Sequence, residues 1–253
     1  MGTAGKVSVE NRILFSNNDI IVVNKIAGEA MEGARRGVAD LPLLLKEQFG
    51  TRKKSGGREF VPAAVHRLDV PVTGCALFAR TAKAADFLNK SFARTVYQGG
   101  RAEKYYWVAV ELSKAFQELP DTGELVHWIQ TNAKKNKSTA YDKPNALRKE
   151  AILRYRIKGR GKNYGFLEID LVTGRHHQIR AQLAALGIHI KGDLKYGSRR
   201  SEQDGGIRLH ARSLYFPDPS VPGNFIRVSA DPPRRDKLWA DFAGGVPGGP
   251  YKP

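Results

Sequence analysis

Apolar and polar positions along this chain alternate between short strand-like runs and helical stripes. Ile20-Ile21-Val22-Val23 is a β-branched run that ends at Asn24-Lys25, which predicts a strand. Residues 41–49 carry leucines at helical spacing and stop at Gly50, which predicts a helix. Cys75-Ala76-Leu77-Phe78-Ala79 predicts an apolar strand entered through Val70-Pro71-Val72-Thr73-Gly74, where Pro71 and Gly74 mark a tight turn. Thr81 is placed to cap a helix in which Ala85, Leu88 and Phe92 recur at helical spacing. Residues 104–112 read as a strand, and 151–157 with 164–172 as a hairpin joined by the Gly-rich segment 158–163. A helix is predicted over 175–186, with Ile179, Leu183 and Leu186 as its inward stripe and Gly187 as its stop. Strands follow at 209–216 and 225–228, whereas the Gly-rich stretch 28–37 lacks a phosphate-loop pattern and reads as a loop. Many strands, short interleaved helices and hairpin connections predict an α+β fold rather than a doubly wound parallel sheet. No internal repeat is present.

Composition narrows the class of partner. The chain has 253 residues, with 42 Lys and Arg against 25 Asp and Glu, a formal charge of +17. That length supplies ample core for one domain, expected over 1–243, followed by a loosely held Gly/Pro tail at 244–253. The charge points to a polyanion, above all nucleic acid, since Lys and Arg on phosphates supply most sequence-independent affinity. Basic runs stand at Arg52-Lys53-Lys54, Lys134-Lys135-Asn136-Lys137 and Arg234-Arg235-Asp236-Lys237, each of which alone fits a solvated loop. The lone cysteine, Cys75, excludes an internal disulfide and reads as a small core residue rather than a nucleophile. No Cys/His spacing suits zinc, and adjacent His176 and His177 on a helix would point about 100° apart. Neither a membrane span nor a signal segment is visible, so a cytoplasmic protein is expected.

The densest cluster of chemistry is His66-Arg67-Leu68-Asp69, at a turn leading into a strand. Taken alone, Asp69 is better read as a turn aspartate bonding backbone. The reading changes with Leu171-Val172-Thr173-Gly174-Arg175-His176-His177-Gln178-Ile179-Arg180, followed by Gly192-Asp193-Leu194-Lys195-Tyr196-Gly197. With Lys104-Tyr105-Tyr106 between them and Leu209-His210-Ala211-Arg212-Ser213-Leu214 after them, this order resembles the RluA-type RNA pseudouridine synthases. The match spans about residues 12 to 230.

The resemblance implies a mixed, mainly antiparallel sheet flanked by helices and loops, with an RNA cleft across it. It implies isomerisation of uridine to pseudouridine in structured RNA, ribosomal RNA first and transfer RNA next, with no cofactor and no metal. Asp69 is the implied nucleophile, Arg180 the guanidinium beside it, and Tyr106 the ring for the extruded base. Such a carboxylate must stay ionised against desolvation, which an arginine favours. Read from the helix alone, Arg180 borders the buried face, yet it is better explained as a surface arginine. Arg67 is implied in prising out the base, with His66, Lys104, Arg175 and Gln178 expected to help hold RNA, although His66 also reads as a packing residue. Tyr105 and Trp107 should face away from Tyr106, and Asp193 and His210 read as structural.

This chain departs from the family pattern at Val72-Thr73-Gly74, at His176 in place of a usual threonine, and at Lys25-Ile26-Ala27-Gly28. These departures bear on substrate and loop geometry rather than on reaction class. No separate N-terminal RNA-binding domain is expected, which leaves RNA selection to the catalytic domain and loops such as Lys134–Lys137, in a monomer. Two other classes compete. A non-catalytic RNA-binding or ribosome-assembly protein could keep the fold, but the presence of Asp69, Tyr106 and Arg180 argues against it. A nucleoside hydrolase needs paired carboxylates, and the motifs hold no second acid suited to that work.

Overall fold

A computed structural model describes residues 8–34, 37–50, 52–53, 59–93, 100–233 and 236–243. The Gly/Pro tail at 244–253 and the basic residues Lys54, Arg234 and Arg235 lie outside the described residues. In chain order a 3-10 turn at Glu10–Arg12 leads to β1 (Ile13–Ser16), β2 (Ile20–Lys25), β3 (Glu29–Ala30), β4 (Ala39–Asp40) and α1 (Leu41–Phe49). Then come β5 (Arg52–Lys53), β6 (Glu59–Phe60), β7 (Ala63–Ala64), β8 (Thr73–Ala79), α2 (Ala82–Phe92) and β9 (Glu103–Glu111). They are followed by α3 (Lys114–Gln117), β10 (Thr122–Asn132), β11 (Lys137–Tyr141), β12 (Lys149–Arg160), β13 (Tyr164–Asp170) and α4 (Gln178–Ala185). A 3-10 turn at Leu194–Tyr196, β14 (Leu209–Pro217), β15 (Phe225–Ser229) and α5 (Lys237–Ala243) complete the order. This is the expected α+β class.

The chain divides into two compact units, one of residues 1–105 and 203–233, the other of 106–202 and 234–253. In the first, strands pair in the order β1-β2-β8-β14, with β7 beside β8 and β15 beside β14. β2 runs antiparallel to β8 from Ile20 opposite Ala79 to Lys25 opposite Gly74, and β14 runs parallel to β8. Every residue of β8 is buried, as its unbroken apolar sequence requires for a strand covered on both faces. Ile20, Val22, Cys75, Leu77, Leu88, Leu214 and Phe216 form the core beside it. The Cys75 thiol sits in that core, where burial pushes its pKa up to about 12, so it is an inert apolar residue as expected.

Three local expectations change. The tight turn closes at Val72, before Gly74 is reached, with Val72 N–H donating to Asp69 O at 2.9 Å. Gly74 lies inside β8, at φ 112°, where a Cβ would stand 2.3 Å from the Ala211 carbonyl oxygen. Glycine is needed there for close approach of β14 rather than for a turn. The stretch 28–37 is not all loop, since β3 pairs in parallel with β4.

In the second unit the order is β9-β13-β12-β10-β11, with antiparallel pairing of β12 with β13 and of β10 with both β12 and β11. The predicted hairpin is therefore present, with a longer first strand and a slightly shorter second strand than expected. α4 lies against β10 and β11, placing Ala181 with Ile129 and Ala151. It begins at Gln178, three residues later than predicted, because His177 takes a left-handed conformation at φ 52° and caps it. Gly187, at φ 71°, ends the helix region as expected.

Candidate active site

The Asp69 turn is built on the end of β8, and alternation along the motif sorts its side chains. His66 and Leu68 point inward at 8% and 7% exposure, Asp69 is half-buried, and the Arg67 side chain is 72% exposed. Arg67 forms an ion pair with the exposed Glu32, at 3.6 Å. An exposed arginine next to a half-buried acid suits contact with a large ligand, because its displacement from Glu32 forfeits little.

A residue that the motif reading overlooked holds the turn. Lys25, at the end of β2, is fully buried, and its Nζ donates to the carbonyls of Ile26 (3.2 Å), Asp69 (3.2 Å), Val70 (3.0 Å) and Val72 (2.6 Å). Burial pulls its pKa from 10.5 to about 7, opposed by the nearby Glu29 and Asp69 carboxylates. Glu29 in turn takes two hydrogen bonds from Arg12, at 2.9 and 2.7 Å, and one from Ile26 N–H at 3.0 Å. The backbone carrying Asp69 is thus pinned from one side by a buried ammonium. The signal in the sequence was a lysine closing an apolar strand, an expensive place for a charge without partners.

His66 fastens the other side. Its Nε2 accepts from Leu77 N–H at 3.1 Å, and its ring stacks on Phe92 of α2 at 5.3 Å between centroids. Burial, with Lys104 nearby, lowers its pKa to about 3, so the ring is neutral and carries its proton on Nδ1. Lys104 places its ammonium 5.6 Å from the Phe92 ring centroid. His210 is structural, as expected: Nδ1 meets Thr73 Oγ1 at 2.8 Å and Nε2 meets Ala230 O at 3.0 Å.

In the second unit, Tyr106 on β9 is 4% exposed and Arg180 on α4 is also 4% exposed. Arg180 donates from Nε and Nη2 to the two oxygens of Asp193, at 2.6 and 2.8 Å, and its guanidinium lies 4.9 Å from the Tyr196 ring centroid. Asp193 is 1% exposed, and its backbone carbonyl accepts from Tyr196 and Ser198 N–H, each at 3.0 Å. A bidentate pair of this kind fixes the plane of the guanidinium, and Asp193 is the structural anchor expected of it. Trp107, also on β9, packs with Phe166 and Trp239 as a core residue.

Gln178 and Arg175 serve the framework. Gln178 Oε1 accepts from Thr173 Oγ1 at 2.7 Å and Arg175 N–H at 2.9 Å, and its Nε2 donates to Ile152 O and to Gln182 Oε1. Those bonds occupy its amide within the protein and join α4 to β12. Arg175 donates from Nε to Glu150 O at 2.9 Å. His176 and His177 are not on a helix; their rings stack at 3.8 Å. Among the described residues no three His, Cys, Asp or Glu side chains cluster as metal ligands.

One unit thus carries a braced acid at a strand end, and the other an arginine-bearing helix fixed by a buried aspartate. The sequence profile of the RNA pseudouridylate synthase family matches residues 19–185. The chain is 30% identical over 210 residues to an uncharacterised RNA pseudouridine synthase of Zymomonas mobilis, covering 80% of this chain and 86% of that one. It is 31% identical over 199 residues to ribosomal large subunit pseudouridine synthase C of Rickettsia bellii, covering 77% of this chain and 59% of that one. The solved structure of human RNA pseudouridylate synthase domain containing 4 shares the fold, with a TM-score of 0.67 at 20% identity over 93% of each chain. The chain belongs to the RNA pseudouridylate synthase family, and within it to the RluA type. It is an isomerase of that class.

Proposed function

We propose that this chain converts specific uridines of structured RNA to pseudouridine, with Asp69 as nucleophile. The observation that carries the assignment is the bracing of the Asp69 turn by Lys25, which fixes a half-buried carboxylate at the mouth of β8. The C1′–N1 bond of the target uridine breaks, the uracil turns, and a C1′–C5 bond forms. The C5 proton leaves and N1 gains one, so the atoms balance without an external reagent. Asp69 holds one fragment covalently while the other reorients. Tyr106 supplies a face for the extruded uracil and a phenol suited to the departing C5 proton. Arg180, whose guanidinium is held by Asp193, is the motif arginine to which the resemblance assigns the role of favouring an ionised nucleophile.

Arg67, exposed and weakly paired, takes part in displacing the base from its stack. Lys104 is a further RNA-binding residue in this reading. The name of the Rickettsia relative favours ribosomal RNA, with transfer RNA as the second arm of any assay. A single subunit acting in the cytoplasm goes with this reading, since one chain supplies Asp69, Tyr106 and Arg180.

The test is to incubate unmodified ribosomal and transfer RNA with wild type and Asp69→Ala and to map pseudouridine. New pseudouridine with wild type alone, at equal RNA binding by both proteins, is the expected result. An inactive wild type that still binds RNA favours a binding protein on this fold, and release of free uracil favours a hydrolase.

A further inference from the structure

We propose that the tip of the β10–β11 hairpin, together with Lys195, is a pre-formed clamp for the phosphate backbone of the RNA substrate, an inference that rests on the isomerase reading. The hairpin turns tightly at Ala133–Asn136, with Asn136 N–H donating to Ala133 O at 3.1 Å and Lys135 N–H to Asn132 Oδ1 at 3.0 Å. Asn136 adopts φ 44°, a left-handed geometry that asparagine tolerates better than most residues.

The tip is tied down along its length. Lys195 Nζ donates to Asn136 O at 3.0 Å, and His176 bridges Asn136 Oδ1 at 3.1 Å and Ser138 Oγ at 2.9 Å through its two ring nitrogens. Tyr196 OH accepts from Ser138 N–H at 2.8 Å and donates to Ser138 O at 2.9 Å. His177 Nδ1 meets the same hydroxyl at 3.0 Å, which makes that nitrogen the donor, because the single phenolic proton is already committed. Lys137 lies with Nζ 5.0 Å from the Tyr196 ring centroid.

The charges on this tied loop are uncompensated. Lys134, Lys135 and Lys195 are exposed, and among the described residues none of these, nor Lys137, is paired with a carboxylate. On β12, by contrast, two arginines are neutralised, Arg154 by Glu124 at 3.0 Å and Arg160 by Asp121. Three ammonium groups at a fixed hairpin tip, with Lys195 bonded to the same tip, repel one another at a cost that a polyanion reverses. Anchoring the backbone beforehand leaves less ordering to be done on binding. Duplex RNA presents rows of phosphates, whose sign is opposite to that of these groups.

The experiment is anisotropy with a fluorescein-labelled ribosomal RNA stem-loop, and separately with labelled transfer RNA, titrated over salt. The triple variant Lys134→Gln, Lys135→Gln, Lys195→Gln is expected to weaken binding of both by about tenfold or more at moderate salt. It should also flatten the slope of log K against log salt by roughly 2 to 3, near one for each phosphate no longer neutralised. Removing the same charge elsewhere, with Lys83→Gln, Lys114→Gln and Lys162→Gln, is expected to change Kd by no more than about twofold. His176→Ala keeps the lysines but unfastens the tip, and a severalfold weaker Kd with nearly unchanged salt slope is expected. If the hairpin triple behaves like the matched control, the clamp is refuted. If His176→Ala binds like wild type, its pre-formed character is refuted. Pseudouridine formation is scored separately, so a wild type that binds but does not isomerise overturns the enzymatic reading without touching the binding result.

Discussion

Asp193 and Arg180 form a buried bidentate pair in which each charge solvates the other. Replacing Asp193 by Asn leaves a guanidinium charged at a position 4% exposed, and breaking such a pair costs about 3–5 kcal/mol. A urea-unfolding midpoint lowered to match is expected; an unchanged midpoint would show that the pair contributes little. Tyr106 is tested by a smaller change. Tyr106→Phe keeps the ring and removes the phenol, so activity should fall by about 10²–10⁴-fold if the hydroxyl moves the C5 proton, with the fold intact. Full activity in Tyr106→Phe would reduce Tyr106 to a packing residue. At this scale the sequence was uneven. Asp69, Arg180 and Asp193 stand inside motifs and could be read from them. Lys25 offered only the cue of a lysine closing an apolar strand, because its role depends on three carbonyls brought to it by the Asp69 turn, a tertiary fact. Gln178 was expected to meet RNA, yet the same motif places its amide among Thr173, Arg175, Ile152 and Gln182.

Between elements, the junction of β8 with β14 is the tightest point near the Asp69 turn. A methyl group at Gly74 would meet the Ala211 backbone at 2.3 Å and would need a left-handed conformation. Gly74→Ala should therefore cost well above about 1 kcal/mol and lower activity by displacing the turn, measurable as a reduced melting temperature together with a lower turnover rate. A variant as stable as wild type would mean that β14 can shift without cost. Element boundaries were legible where the cue is chemical and local: Gly50 follows α1, Thr81 caps α2 through Ala84 N–H, and Gly187 follows α4. They were misplaced where a neighbouring element decides. The start of α4 shifts to Gln178 because His177 is held left-handed with its ring bonded to Tyr196, and Gly74 is claimed by β14 rather than by the turn.

For the molecule as a whole, charge and titration set the conditions under which it works. A formal charge of +17 makes RNA binding fall steeply with salt. Two buried histidines set an acid limit. His66 and His210 have pKa values lowered to about 3 and about 4, against 6.5 in the unfolded chain. Below pH 6.5 the unfolded state binds protons that the folded state refuses, so the stability contribution of the neutral rings is complete above that pH and is lost as pH falls toward 4 and then 3. A loss of a few kcal/mol by about pH 5 is expected, and His210→Gln should flatten the profile of urea midpoint against pH; an equally steep profile in that variant would contradict the assignment. The α+β class and the family resemblance were legible because motif order survives in the linear sequence, whereas the division into two compact units was not, since the first is assembled from segments 1–105 and 203–233. The central claim is that Asp69 is the nucleophile of an RNA isomerase, and pseudouridine mapping on ribosomal and transfer RNA treated with wild type or Asp69→Ala measures it most directly. Site-specific pseudouridine with wild type, and none with an Asp69→Ala protein that still folds and binds the RNA, is the expected result; pseudouridine at the same sites with Asp69→Ala would contradict it.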